Sequence, residues 1–199
     1  MLFSTQYDQK YQPIVWVVLG VLLIAFFLLD LSCGSAWISL SQFWDPTNPI
    51  DLDILLNLRL PRAITALLAG IALSVSGLLM QTLFANPLAG PYTLGVSNGA
   101  GLGVAMVTMC ATTIGMQHFV AGNLSIVLAA IVGSTIVLMI VIGVAKFLRD
   151  NVSLLIVGMM FGSIAGALVN LLQNFANPDA LKLFVVWTLG SLTTVGWNE

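Results

Sequence analysis

An all-α, polytopic membrane fold is predicted by three features of this sequence: its scarcity of charge, its apolar block structure and the punctuation between blocks. Only 7% of the 199 residues are charged and 59% are hydrophobic, with a mean hydropathy of +1.03. A soluble domain carries about 25% charged residues, so 6 basic and 8 acidic side chains cannot coat a water-facing surface of this size. That excludes a soluble enzyme. The apolar residues fall in blocks of roughly 20, the length that crosses ~30 Å of hydrocarbon. Prolines, glycines and short polar runs separate them.

Residues 14–33 form the first predicted span, preceded by Tyr7, Lys10 and Tyr11. Asp30 stands where a lipobox before Cys33 needs an aliphatic residue, and more spans follow, so the block reads as a retained helix. A polar stretch with Trp37, Trp44, Asp45, Pro46, Pro49, Asp51 and Asp53 suits an interfacial loop. The second span is predicted at 61–84, since proline is tolerated in a first helical turn. Two prolines and a glycine in Asn86-Pro87-Leu88-Ala89-Gly90-Pro91 then stop it. Further spans are predicted at 94–114, 124–145 and 152–175, the last two joined by the tight connection Lys146 to Asn151. Residues 181–192 are too few to span and are predicted as a short interfacial or re-entrant helix.

Basic residues vote evenly on orientation: Lys10, Lys146 and Arg149 on one side, Arg59, Arg62 and Lys182 on the other. The first group lies in short, acid-poor segments and is placed in the cytoplasm. Arg59 and Arg62 on the outer face then call for an explanation. The net charge of −2 provides no basic field, so nucleic acid is not an expected partner. Cys33 and Cys110 have no CxxC or Cys/His ligand spacing and read as small buried apolar side chains, the other reading being a disulfide near one membrane face. The single histidine, His118, reads as a surface loop residue beside Gln117, without a second histidine for a metal pair. No catalytic residue and no metal site is expected.

Small residues recur every fourth position at Ala66/Gly70/Ser74, Gly95/Gly99/Gly103 and Gly158/Gly162/Gly166. Such faces let helix backbones approach closely where lipid offers no hydrophobic drive. The glycine-rich start of the third span lacks the Gly-Lys-Ser/Thr ending of a phosphate loop. Within it, Ser97 and Asn98 either cap the helix or face a water-filled path. Asn170, Gln173, Asn174 and Asn177 share one helical face by their spacing. Amides facing lipid would be left unsatisfied, so this stripe is expected to line a solvated pathway near the outer surface, the other reading being interhelical hydrogen bonding. No span interior carries a firmly placed ionisable group, which argues against proton-coupled carriers and intramembrane enzymes.

The runs Leu58-Arg59-Leu60-Pro61-Arg62, Gly77-Leu78-Leu79-Met80-Gln81, Asn86-Pro87-Leu88-Ala89 and Leu94-Gly95-Val96-Ser97-Asn98-Gly99-Ala100 resemble the FecCD family. Weaker similarity continues through Trp187, Gly190 and Ser191. These are permease subunits of binding-protein-dependent ABC importers for iron-siderophore complexes, haem and cobalamin. The resemblance implies a multi-pass inner-membrane chain that pairs with a second permease subunit, identical or not. It implies cytoplasmic ATPase subunits that bind ATP and magnesium, an extracytoplasmic substrate-binding protein, surrounding lipid, and no cofactor on this chain. It covers only the N-terminal part of the family pattern, so the sequence is expected to be truncated and not to transport alone.

By the same resemblance, Arg59 and Arg62 lie at the outer mouth and meet acidic residues of the docked binding protein. Their spacing puts both near one side of the helix, and charge reversal at both is expected to weaken docking without unfolding; headgroup snorkelling is the simpler alternative. Asn86 and Leu88 match the family's cytoplasmic constriction, with Asn151 and Ser153 near its counterpart. The implied mechanism is alternating access driven by partner ATPases. An ion-gradient carrier or channel, or a purely structural membrane subunit, are the competing readings.

Overall fold

The computed structural model describes residues 12–110, 123–148, 150–193 and 195–197. The readings placed on Tyr7, Lys10, Tyr11, Gln117, His118 and Arg149, and on the side chain of Cys110, lie outside the described residues. Among the described residues every regular element is helical. They are α1 (Gln12–Ser32), α2 (Pro49–Phe84), α3 (Val96–Ala105, continued as a π-helical turn over Met106–Cys110), α4 (Asn123–Ala145), α5 (Asn151–Phe175) and α6 (Pro178–Leu189). Among the described residues, four helices are long and apolar enough to cross a membrane: α1, α2, α4 and α5. The fold class is all-α and polytopic.

The helix ends follow local chemistry. Helix α2 starts at Pro49, well before the predicted 61, so the acidic stretch read as loop is helical from there on. The Asn48 side chain accepts the Ile50 N–H, Pro49 takes the first turn where no donor is missed, and Asp51 complements the positive end of the helix dipole. A π-helical segment, Ile54–Arg59, lies within α2. Helix α5 is capped by Asp150, and α6 by Asn177 with Pro178 behind it, so the short helix spans 178–189 rather than 181–192. Gly190, at φ 70°, ends it.

The chain divides into two compact units, one drawn from Met1–Leu67 and Leu192–Asn198 and the other from Leu68–Ser191. In the first, Leu31, Ile38, Leu55 and Ala63 are buried. In the second, α3 packs between α4 and α5 at backbone distance. A Cβ on Gly99 would stand 2.8 Å from the Gly133 carbonyl oxygen, and one on Gly95 would stand 2.7 Å from that of Gly158. Gly95 also has φ +71°, a conformation L-residues rarely adopt. Gly99 opposes Gly133 and Gly103 opposes Ala129, so α3 and α4 run antiparallel. Gly95 opposes Gly158 while Val104 and Ala105 share a buried cluster with Val169, so α3 and α5 run parallel.

The three small-residue stripes therefore have different fates. Gly95, Gly99 and Gly103 divide between two neighbours, Gly158 and Gly162 pack on α3, and a Cβ on Gly70 or Gly166 would meet nothing within 4 Å. Two buried clusters close the second unit. One joins Val104, Ala105 and Met109 to Val169, Ala180 and Phe184; the other joins Phe84, Ala89 and Leu94 to Val137 and Val141.

Candidate functional site

In the first unit both arginines sit on α2 beside the end of α1. The last carbonyls of a helix have no partner within it and carry its negative dipole end. Arg59 supplies what they lack: Nη1 donates to the Leu31 and Ser32 carbonyls at 2.9 and 2.7 Å, and Nη2 to that of Ala36 at 2.6 Å. Charge reversal at Arg59 would set a carboxylate against those carbonyls, so the expectation that it leaves the fold intact is corrected. Arg62 donates through Nη2 to the Thr193 carbonyl, and its Nε is buried without a hydrogen-bond partner. Trp197 Nε1 donates to the Leu56 carbonyl at 2.8 Å, in the π-helical segment. A cavity of about 300 Å³ beside the arginines is lined also by Asp30, Cys33, Ile54 and Leu58.

The four residues expected at the cytoplasmic constriction belong to the second unit. Ala85 ends α2 with φ 46°, and Asn86 folds the following turn by accepting the Leu88 N–H on Oδ1 at 2.9 Å. That is an Asx turn, the reason asparagine suits the position. The Leu88 side chain is 88% exposed, unusually so for a leucine at a chain reversal. Asn151 Nδ2 donates to the Leu83 carbonyl at 2.6 Å, which ties the start of α5 to the end of α2. Ser153 is engaged locally: its N–H and its hydroxyl donate to the two carboxylate oxygens of Asp150 at 2.7 and 2.9 Å. Those hydrogen bonds hold the Asp150 carboxyl below its ordinary value, the Ser153 backbone N–H contributing most.

A second cavity, of about 380 Å³, opens among α3, α5 and α6. Ser97, Asn98 and Asn170 line it, joined by Phe184, Trp187 and Thr188 of α6, with Gly101 and Gly166 as its small-residue wall. Ser97 and Asn98 are not caps, because the cap position belongs to Gly95 and makes no side-chain hydrogen bond. Asn98 Nδ2 donates to the Gly162 carbonyl at 2.9 Å, so its Oδ1 remains as an acceptor. Thr188 donates to the Val185 carbonyl at 2.7 Å. Phe184 and Trp187 stack obliquely with ring centroids 6.2 Å apart.

The predicted stripe of four amides does not form on one helix. Helix α5 ends at Phe175 and the chain turns extended at Ala176 and Asn177, because Pro178 disfavours helical geometry before it. Asn177 instead caps α6 by accepting the Ala180 N–H at 2.8 Å. Asn174 donates to the Asn170 carbonyl at 2.9 Å, and neither Gln173 nor Asn174 lines the cavity. Trp187, Thr188 and Gly101 were not flagged by spacing, whereas Gly166 was, as part of a packing stripe. For Trp187 and Thr188 the signal lies in the α6 cap and its turn at Gly190, which bound the helix that carries them.

Residues 22–199 match the FecCD transport family. The vitamin B12 import system permease protein BtuC of Shigella boydii serotype 18 is 35% identical over 193 residues, covering 96% of this chain and 56% of the relative. Its counterpart in Escherichia coli O157:H7 gives the same identity and coverage. A solved structure, described as an inward-facing conformation of a chain assigned to the metal-chelate type of ABC transporter, superposes with a TM-score of 0.78 at 27% identity. That match covers 94% of this chain and 56% of the solved one. The chain thus spans about half the length of the relatives it matches.

Proposed function

Since this multi-pass inner-membrane chain belongs to the FecCD transport family, we propose that it is permease sequence of an ATP-driven importer, forming part of a pathway for an iron-siderophore complex, haem or cobalamin. The observation that carries this reading is the cavity among α3, α5 and α6, a polar recess inside a fold whose spans carry almost no charge. No ionisable side chain lines that cavity, and in this reading the energy comes from partner subunits. ATP and magnesium on cytoplasmic partner subunits would supply it, and a second permease subunit would complete the pathway.

In this reading a substrate-binding protein delivers cargo at the outer end of α2. Arg62, whose Nη2 donates to the Thr193 carbonyl, is the contact for its acidic groups through its remaining terminal N–H groups, while Arg59 holds α1 in place. The turn at Asn86 and Leu88, tied by Asn151 and with Ser153 capping beside it, forms the cytoplasmic constriction. Alternating access then opens one end as it closes the other.

The test is uptake into proteoliposomes holding the full-length protein with the ATPase and binding protein of its own genome. Labelled cobalamin or ferric siderophore should enter only with ATP inside and binding protein outside. Uptake driven by an ion gradient without ATP would establish the carrier reading instead.

A further inference from the structure

Nine residues line the α3–α5–α6 cavity and none of them is ionisable. The hydrogen-bonding capacity there is nevertheless concentrated. Among the described residues, the Ser97 hydroxyl, the Asn170 amide and the Trp187 indole N–H make no hydrogen bond, and Asn98 retains its Oδ1 as an acceptor. A membrane interior leaves such groups costly unless protein, water or a ligand answers them. Trp187 adds an aromatic surface, braced by Phe184, beside these donors and acceptors. At about 380 Å³ the cavity is at the small end of the usual ~300–1,000 Å³ range for ligand pockets, so it fits one edge of a large chelate rather than the whole.

The geometry points to a selectivity subsite that takes an uncharged, carboxamide- or hydroxamate-bearing edge of the cargo and rejects a carboxylate-bearing one, with Asn170 and Trp187 as the determining residues. This rests on the importer reading above. A carboxamide offers both N–H donors and an acceptor oxygen, which matches the mixed set on Asn98, Asn170 and Trp187, and a neutral ferric hydroxamate offers acceptor oxygens without net charge, which the Asn170 and Trp187 N–H groups can answer. A carboxylate offers acceptors only, and no cation in the lining would offset its desolvation. Gly101 and Gly166 keep the space open, since a Cβ at either meets nothing within 4 Å.

The full-length importer, reconstituted with its ATPase and binding protein, is offered three probes: cyanocobalamin, the ferric hydroxamate ferrichrome, and anionic ferric dicitrate. One or both uncharged probes should be taken up in preference to ferric dicitrate. Asn170→Asp and Trp187→Ala should each lower that uptake about tenfold. Gly166→Leu, which fills the cavity without meeting protein within 4 Å of its Cβ, should do the same at normal membrane levels; Gly143→Leu, equally open but remote from the cavity, should not. Preferential uptake of ferric dicitrate, or uncharged-probe uptake within about twofold of wild type in all three cavity variants, overturns the subsite alone. Haem, whose propionates are carboxylates, is offered as a fourth probe: its preferential uptake also overturns the subsite alone, and ATP-dependent uptake of none of the four overturns the importer reading and the subsite with it.

Discussion

Arg59 places three charge-assisted hydrogen bonds on carbonyls at and just past the end of α1, of which Ser32's also accepts the Ile38 N–H, and such bonds to a charged group contribute about 1.5–3 kcal/mol each. Its partial exposure argues for a total below their sum. Arg59→Ala should therefore destabilise the outer end of α1 by about 2–4 kcal/mol, and Arg59→Lys should recover only part, because an ammonium cannot reproduce the guanidinium fork. Protease sensitivity of the 32–40 segment in detergent is the measurement. Equal resistance in all three proteins would show that the cap is dispensable. Both arginines were visible in the sequence as anomalous charge on an outer face. Which of them faces inward was not, because that depends on where α1 ends relative to α2, and helical spacing within α2 carries no such information.

Two adjacent helix ends, the end of α2 and the start of α5, flank the Asn86 turn and are held by side-chain hydrogen bonds. Asp150 closes the α5 N-terminus through Ser153, and Asn151 next to it reaches Leu83 at the end of α2. The Asp150 carboxyl is held below its ordinary value by those hydrogen bonds, so the cap's contribution is present above the unfolded value of 3.8 and is lost as pH falls through the lower folded one. Amide exchange over residues 151–154 should quicken in acid for the native protein. Asp150→Asn, which caps without a charge, should show no such pH dependence. Helix existence and type were legible throughout from block length. The starts of α2 and α6 were missed by several residues, although Asn48-Pro49 and Asn177-Pro178 each carry the same cap-then-proline signal. Hydropathy masked it: acidic residues in a first turn read as loop when composition is weighed above capping. The amide stripe failed for the same local reason, since Pro178 breaks the helix on which its spacing was counted.

Orientation of the whole chain in the membrane rests on a three-against-three division of basic residues, which the hydrogen bond from Asn151 to Leu83 converts into a geometric constraint. It holds the end of α2 and the start of α5 at one side, with α3 and the antiparallel α4 between them in sequence. Placing that side in the cytoplasm is the orientation that the acid-poor setting of Lys146 favours. Cys33, free and exposed one residue past α1 rather than buried as its apolar setting suggested, reports on orientation directly. In the full-length protein carrying Cys110→Ser, a membrane-impermeant maleimide should label Cys33 in right-side-out spheroplasts, and a cysteine placed at Lys146 should label only in inverted vesicles. The opposite pattern would reverse the orientation and count against the proposed docking role of the arginines. The α3–α5–α6 cavity and the Asn86 turn belong to the same unit, joined by α3 and α5.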